Sequence, residues 1–509
     1  MLAKIKSFGL SGVDGYEVQL EVDINNGMPG MEVVGLGDTA VKESKERVKS
    51  AIKNSGFLLP PKKITVNLAP ASVKKEGALY DLGIAIGLMY ATEQFNCSNL
   101  NDYAFIGELS LDGHIRHVRG ITPMLISARD MGYNKIIVPN ANANESSYIE
   151  GIEVYALETL REVVELITGE VQYAPVPKKK IALGIQSDYS EDFKYVKGQY
   201  VAKRAIEIAA AGGHNILMIG PPGAGKTMLA RCIPTILPDM SIAEALETTK
   251  IHSVAGVLSD GDGLIYNRPF RSPHHTATSM ALTGGGTNAH PGEISLAHNG
   301  VLFLDELPEY NRSCLEVLRQ PLEDGVITVA RASRSVEYPA NFMLVASMNP
   351  CPCGYHGSKT HECKCSPLQI SKYLSRVSGP LMDRIDLHIS VDSVTYSDLS
   401  SDTLEESSQS IRERVNRARE VQLRRYEGTG IFSNSKMNSV MIRKYCKLDE
   451  RSEGLLRSAF DRLGLSARSY TRILKVARTI ADLEGSENIT IAHLSEALNY
   501  RSMDRDYFK

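Results

Sequence analysis

Short apolar runs alternate with helical periods through the first third of the chain. "KITVNLA", "NKIIVPN" and "IEVYAL" have the length and β-branched content of strands, while "VKESKERVKSAIKNSG" repeats its apolar residues at helical spacing. That alternation predicts an α/β domain over residues 1–170. A break rich in proline and charge, "YAPVPKKKIALGIQSDYSEDF", reads as a linker over 171–195, with lysines 178–180 as solvated linker charge. Three runs apolar on both faces, "NILMIG", "GVLFLDE" and "NFMLVASMN", then predict buried parallel strands in a second α/β unit over 196–395. From 396 to 509 the pattern is helical, clearest in "ESSQSIRERVNRAREVQLRRY" and "SYTRILKVARTIADLEG".

Composition narrows the setting more than the function. The longest strongly apolar run, Leu82 to Ala91, is too short to cross a bilayer, and the N-terminus has no signal-peptide pattern. Scattered cysteines fit a reducing, cytoplasmic compartment and no membrane partner. A net charge of −3 makes no global argument for nucleic acid, so any such case rests on local basic residues.

The chemistry begins at "GPPGAGKT", which follows the strand "NILMI" and opens the helix "TMLARCI". This is the strand–loop–helix setting of a Walker A phosphate loop. Gly220, Gly223 and Gly225 let the backbone, with Pro221, Pro222 and Ala224, turn its N–H groups toward phosphate oxygens. Lys226 would reach the β- and γ-phosphates of ATP, and the Thr227 hydroxyl would ligate Mg2+. "VLFLDE" ends a second strand in two carboxylates: Asp305 for Mg2+ and Glu306 to polarise the attacking water, which favours hydrolysis over phosphotransfer.

Those motifs, with "RSPHHTATSMALTGGG", "SGPLMDRIDLHISV" and the N-terminal "VVGLGDTAVKESKERVKSAI", resemble the YifB/ComM family of magnesium-chelatase-like AAA+ ATPases along essentially the whole chain. The resemblance implies an AAA+ core with a parallel sheet, a C-terminal helical lid, and assembly as a homo-hexamer with ATP at subunit interfaces. It implies a helicase acting on single-stranded or branched DNA and promoting branch migration. A magnesium-chelatase-type subunit and a protein-remodelling chaperone are the rival readings. By the same resemblance Asn349, at the end of the third strand, is sensor 1, and Arg384 is an arginine finger for the neighbouring subunit. Sensor 2 is one of Arg468, Arg472 and Arg478, with Arg468 preferred at the helix start. The hairpin "VITVARASRSVEYP" matches a pore hairpin of related helicases, with Arg331 and Arg334 as DNA-binding residues or, alternatively, solvated surface charge. The adjacent His274 and His275 are expected to point in different directions and not to bind a metal.

Half of the eight cysteines crowd into "CPCGYHGSKTHECKC", residues 351–365. Two C-x-C pairs supply four thiolates able to surround Zn2+, so Cys351, Cys353, Cys363 and Cys365 are expected to form a structural zinc site in an insert over 350–366. His356 or His361 could replace one thiol. Residues 1–170 resemble the Lon protease domain, but Met124 occupies the position of its lysine. Residues 77–84 hold no Ser, Thr or Cys, so protease chemistry is excluded.

Overall fold

The computed structural model of the chain describes residues 2–179, 191–258, 263–286, 289–330, 335–358, 361–393, 404–463 and 465–501. The N-terminal part is built on a seven-stranded sheet. Its order is Gly30–Val34, Lys63–Ala69, Asp14–Asn25, Leu2–Ser11, Tyr103–Phe105, Lys135–Pro139, Glu153–Leu157. Asp14–Asn25 is antiparallel to both its neighbours, and the remaining pairs are parallel. Along that strand Val18, Leu20 and Val22 are buried while Gln19, Glu21 and Asp23 reach solvent, as a strand with one covered face requires. The apolar run from Leu82 becomes the helix Asp81–Ala91 that covers this face. Gly83 and Gly87, one turn apart, bring it close: a Cβ on Gly83 would stand 2.5 Å from Leu20 Cδ1, and one on Gly87 would stand 2.8 Å from Val22 Cγ2.

Asp81, fully buried, accepts from Arg47 Nε at 2.8 Å. Burial pushes its carboxyl up to about 7 against the opposing pull of Arg47. Met124 is buried among apolar side chains.

The second sheet has five parallel strands, ordered Phe270–Arg271, Val301–Leu304, Met343–Met348, Ile216–Ile219, Leu387–Ser390. Every residue of the three middle strands is buried, which explains their unbroken apolar runs. Phe193, from the stretch read as a linker, is fully buried in the same core. The hairpin Val326–Ala330/Ser335–Pro339 forms beside the sheet.

Beyond residue 404 the regular structure is helical, with Ser408–Arg425, Ser439–Tyr445, Glu450–Leu463, Ala467–Leu483 and Ile491–Asn499. These helices fasten to the N-terminal end of the second sheet. His214 Nε2 shares a hydrogen bond of 2.7 Å with Thr479 Oγ1. Asp386 accepts from Asn215 N at 3.0 Å and pairs with Arg472. Burial opposes its charge, but Arg472 and His214 outweigh burial and hold the carboxyl far below the usual range.

The two sheets meet through the helices Ile121–Asp130 and Ile242–Ala255. Glu145, buried, accepts from Thr122 N at 2.9 Å, from Thr122 Oγ1 at 2.7 Å and from the Ser253 hydroxyl across the junction. Among the described residues no helix is long and apolar enough to cross a membrane.

Candidate active site

Gly220 leaves its strand where a Cβ would lie 2.2 Å from Val391 O, so only glycine fits. Gly225, at φ 87°, turns the loop into helix Lys226–Cys232. Ala224 is buried beneath the loop, and Pro222 and Gly223 are exposed above it. Lys226 is nine-tenths buried, and its ammonium donates to Gly220 O at 2.7 Å, Pro221 O at 2.9 Å and Asn349 Oδ1 at 3.1 Å. Burial lowers its pKa, with Asp305 and Glu306 pulling the other way. The Thr227 hydroxyl donates to Asp305 Oδ2 at 2.8 Å. The structure thus gathers Lys226, Thr227, Asp305 and Asn349 at the C-terminal edge of three adjacent strands, where open α/β sheets bind ligands.

Two further residues complete this edge and were missed by pattern reading. Ser347, fully buried, donates its hydroxyl to Asp305 Oδ1. It lies two residues before Asn349 and so on the same strand face, a signal the sequence did carry. His275 Nδ1 lies 3.5 Å from Glu306 Oε2. Arg271 pairs with Leu302 across parallel strands, and extending that register by four residues sets His275 opposite Glu306. Tyr310 holds the segment by donating its hydroxyl to Pro273 O at 2.6 Å. The rings of His274 and His275 lie with centroids 4.1 Å apart, tilted by 34°, while their Nδ1 atoms face different partners, Thr276 and Glu306.

The arginines lie elsewhere. The Arg384 carbonyl accepts from Asn215 Nδ2 at 2.9 Å and from Arg472 at 3.0 Å, at the end of strand Ile216–Ile219 opposite the phosphate loop. Its guanidinium pairs with Glu323 and donates to Pro380 O at 2.7 Å. Arg468 stands 4.0 Å from the same Glu323 with a side chain 57% exposed. Neither reaches the phosphate loop of its own chain. Arg472 is engaged by Asp386, and Arg478 by Asp482 at 3.0 Å and by the carbonyls of Ser486 and Glu487. Of the three lid arginines only Arg468 keeps its charge mostly in solvent. Arg331 and Arg334 lie outside the described residues; the strands on either side pair in register up to Ala330 and Ser335.

The four clustered thiols converge, all Sγ atoms lying within 4.8 Å of one another. Cys351 Sγ is 3.3 Å from Cys353 Sγ and 3.7 Å from Cys363 Sγ, and Cys353 to Cys363 is 3.6 Å. A tetrahedron with Zn–S bonds of about 2.3 Å has edges of roughly 3.8 Å, so the donor set fits a four-thiolate zinc site. Backbone N–H groups of Tyr355 and Lys364 draw Cys353 down to about 6, toward the thiolate a metal requires. Neither histidine joins the cluster; His361 stacks on Tyr355 at 4.7 Å.

A parallel sheet with a phosphate loop on an inner strand, two acids on one neighbouring strand and a polar residue ending the next defines a P-loop ATPase of the AAA+ class. Residues 192–399 match the family "Magnesium chelatase, subunit ChlI", 20–142 match "Subunit ChlI of Mg-chelatase", and 405–501 match its C-terminal part. Over 510 residues the chain is 45% identical to competence protein ComM of Haemophilus influenzae, covering 99% of this chain and 98% of the relative. Over 496 residues it is 45% identical to YifB of Escherichia coli, covering 97% and 96%. A stretch of 127 residues, 25% of this chain and 22% of the relative, is 28% identical to Lon protease 2 of Bacillus subtilis. The chain belongs to the YifB/ComM family of magnesium-chelatase-like AAA+ ATPases.

Proposed function

We propose that this protein is a cytoplasmic ATP-driven ring motor acting on DNA, a homo-hexamer that hydrolyses ATP between subunits and promotes branch migration. The observation that carries the ring is the placement of Arg384 and Arg468. Both sit around Glu323, at the sheet end away from their own phosphate loop. An ATP site assembled from one chain therefore has Lys226 but neither of these arginines to stabilise charge on the transferred phosphoryl group, and a neighbour can supply them. The DNA reading is supported by the full-length likeness to a competence protein and by the presence of Arg331 and Arg334 between two paired strands in the sequence.

Lys226 and the loop N–H groups bind the β- and γ-phosphates, Lys226 exchanging its carbonyl partners for phosphate oxygens. Thr227 and Asp305 would hold Mg2+, which would neutralise charge on the phosphates. Asn349, already on Lys226, orients the attacking water, and the Glu306 carboxylate takes its proton. Cys351, Cys353, Cys363 and Cys365 would hold Zn2+ as a closed structural site.

ATP turnover measured with single-stranded, duplex and four-way-junction DNA tests the substrate. Stimulation by DNA, strongest with the junction, is expected; stimulation by unfolded protein or by a porphyrin and Mg2+ instead would replace the DNA reading with the chaperone or chelatase one. Arg331→Ala with Arg334→Ala should leave basal turnover intact, weaken DNA binding and reduce the slope of log K against log salt. A double variant that binds and unwinds DNA like the parent removes the hairpin from the DNA-gripping role.

A further inference from the structure

We infer that the four-thiol cluster is a zinc-held brace of the nucleotide site, so that zinc occupancy sets the affinity for ATP and the rate of its hydrolysis. The inference rests on the ATPase reading and adds a control to the same site.

The cysteine loop touches the nucleotide site at two points. One is covalent. Met348 O accepts from Gly220 N at 3.2 Å, Asn349 Oδ1 accepts from Lys226, and only Pro350 separates Asn349 from Cys351. Cys351 is fully buried, so the first thiol is anchored in the sheet edge itself. The second contact is steric. Gly354 donates its N–H to Cys351 O at 2.9 Å and turns with φ 85°. It then lies so close to the phosphate loop that a Cβ would stand 2.5 Å from Pro222 Cδ and 2.7 Å from Cγ. The loop that bears Cys351 and Cys353 therefore backs both Asn349 and Pro222.

Its hold comes from the other pair. Among the described residues, 350–366 contain neither helix nor strand. Cys363 and Cys365 bring in the start of helix Pro367–Leu374, whose first turn is fixed by reciprocal hydrogen bonds between Ser366 and Gln369. A metal bound by all four thiolates ties the Asn349 segment to this helix and presses Gly354 on Pro222. Without a metal the four sulfurs meet only through weak thiol contacts, so the tie is made by the ion and loosens with it. A displacement of about 1 Å in positioning groups can cost up to about 100-fold in rate, which is the scale on which such a brace acts.

The test uses the full-length protein, elemental zinc analysis and titration with a fluorescent ATP analogue, before and after a high-affinity chelator and again after Zn2+ is returned. About one zinc per chain is expected. Stripping should weaken analogue binding about tenfold and slow hydrolysis further, and returned Zn2+ should restore both. Gly354→Asn keeps all four ligands and tolerates the left-handed backbone, but its Cβ pushes against Pro222, so it should retain zinc and still lose affinity. Lys226→Ala should retain zinc and lose the analogue; were it to bind the analogue like the parent, the nucleotide site would be misassigned and that reading would fall. If instead stripped protein and Gly354→Asn both bind the analogue as tightly as the parent, the brace is refuted while the zinc site stands. Protein purified without zinc, with unchanged nucleotide binding on adding it, overturns the inference outright.

Discussion

Two inactive variants, mixed, should hydrolyse ATP. Glu306→Gln keeps the phosphate loop, Thr227 and Asp305 but removes the carboxylate that takes the proton from water. Arg384→Ala leaves every group at its own phosphate loop in place. With a rise of about 3.3 Å per residue, Asn215, which holds the Arg384 carbonyl, lies about 16 Å from Gly220, beyond the reach of an arginine side chain. Any role of Arg384 in hydrolysis therefore requires a neighbour's ATP. Losing such a cation costs about 10³–10⁵ in rate, or about 4–7 kcal/mol in the barrier. In a head-to-tail ring assembled at random, a working interface needs a subunit with intact Glu306 next to one with intact Arg384. The fraction of such interfaces is the product of the two mole fractions, about one quarter at equal amounts, whatever the ring size. Phosphate release should trace a parabola against mixing ratio, rising from near zero at either end to about 25% of the parent rate. The assay needs differently tagged variants, with co-purification to prove subunit exchange. Flat turnover at every ratio, with exchange demonstrated, refutes action in trans.

His275→Ala should lower kcat about tenfold with KM little changed. His275→Gln should recover part of the loss, because an amide can donate to Glu306. Asp81 has its folded pKa raised to about 7, above the unfolded value near 3.9, so its stabilising contribution is full below about pH 4 and lost as pH rises through 7. Between pH 5 and 8 the parent should therefore lose about 2–3 kcal/mol of unfolding free energy that Asp81→Asn does not lose, read by urea denaturation. Asp482→Ala leaves Arg425 and Arg478 buried without their shared carboxylate and should cost the helical lid about 3–5 kcal/mol, visible as a lowered melting midpoint.

The core strands were legible because parallel strands covered on both faces have no polar alternation to obscure them; "NILMI", "VLFL" and "MLVASM" are each buried throughout. The Walker residues were legible for a related reason, since a loop that wraps phosphate has few alternatives in glycine placement. Gly220, with no room for a Cβ beside Val391 O, shows why. The cysteines declared themselves by crowding. Long-range packing was harder to read. Nothing in "SARSYTRILKVAR" says that Arg472 answers Asp386 in another strand, or that Thr479 bonds His214. Those two contacts carry the lid to the far end of the sheet and Arg468 with it. Phe193 sits in a stretch whose prolines and charges read as linker, yet its ring fills the core.

The N-terminal domain makes the same point from the opposite direction. Asp81, buried, accepts hydrogen bonds from Arg47. The acid that matters to the assembly of the two sheets is Glu145, which no motif marks. Buried, it takes hydrogen bonds from Thr122 on its own side and Ser253 on the other. A buried carboxylate with four donors, Asn142 Nδ2 being the fourth, resists sliding, since any shift strands a charge away from water. The helix that Glu145 grips, Ile242–Ala255, packs through His252 Nε2 on Leu296 O at 3.0 Å, close to the Walker B strand. The N-terminal domain therefore meets the ATPase core through a helix whose other contacts, Glu247 with His298 and Thr248 with Asn299, lie at the N-terminal end of the Walker B strand.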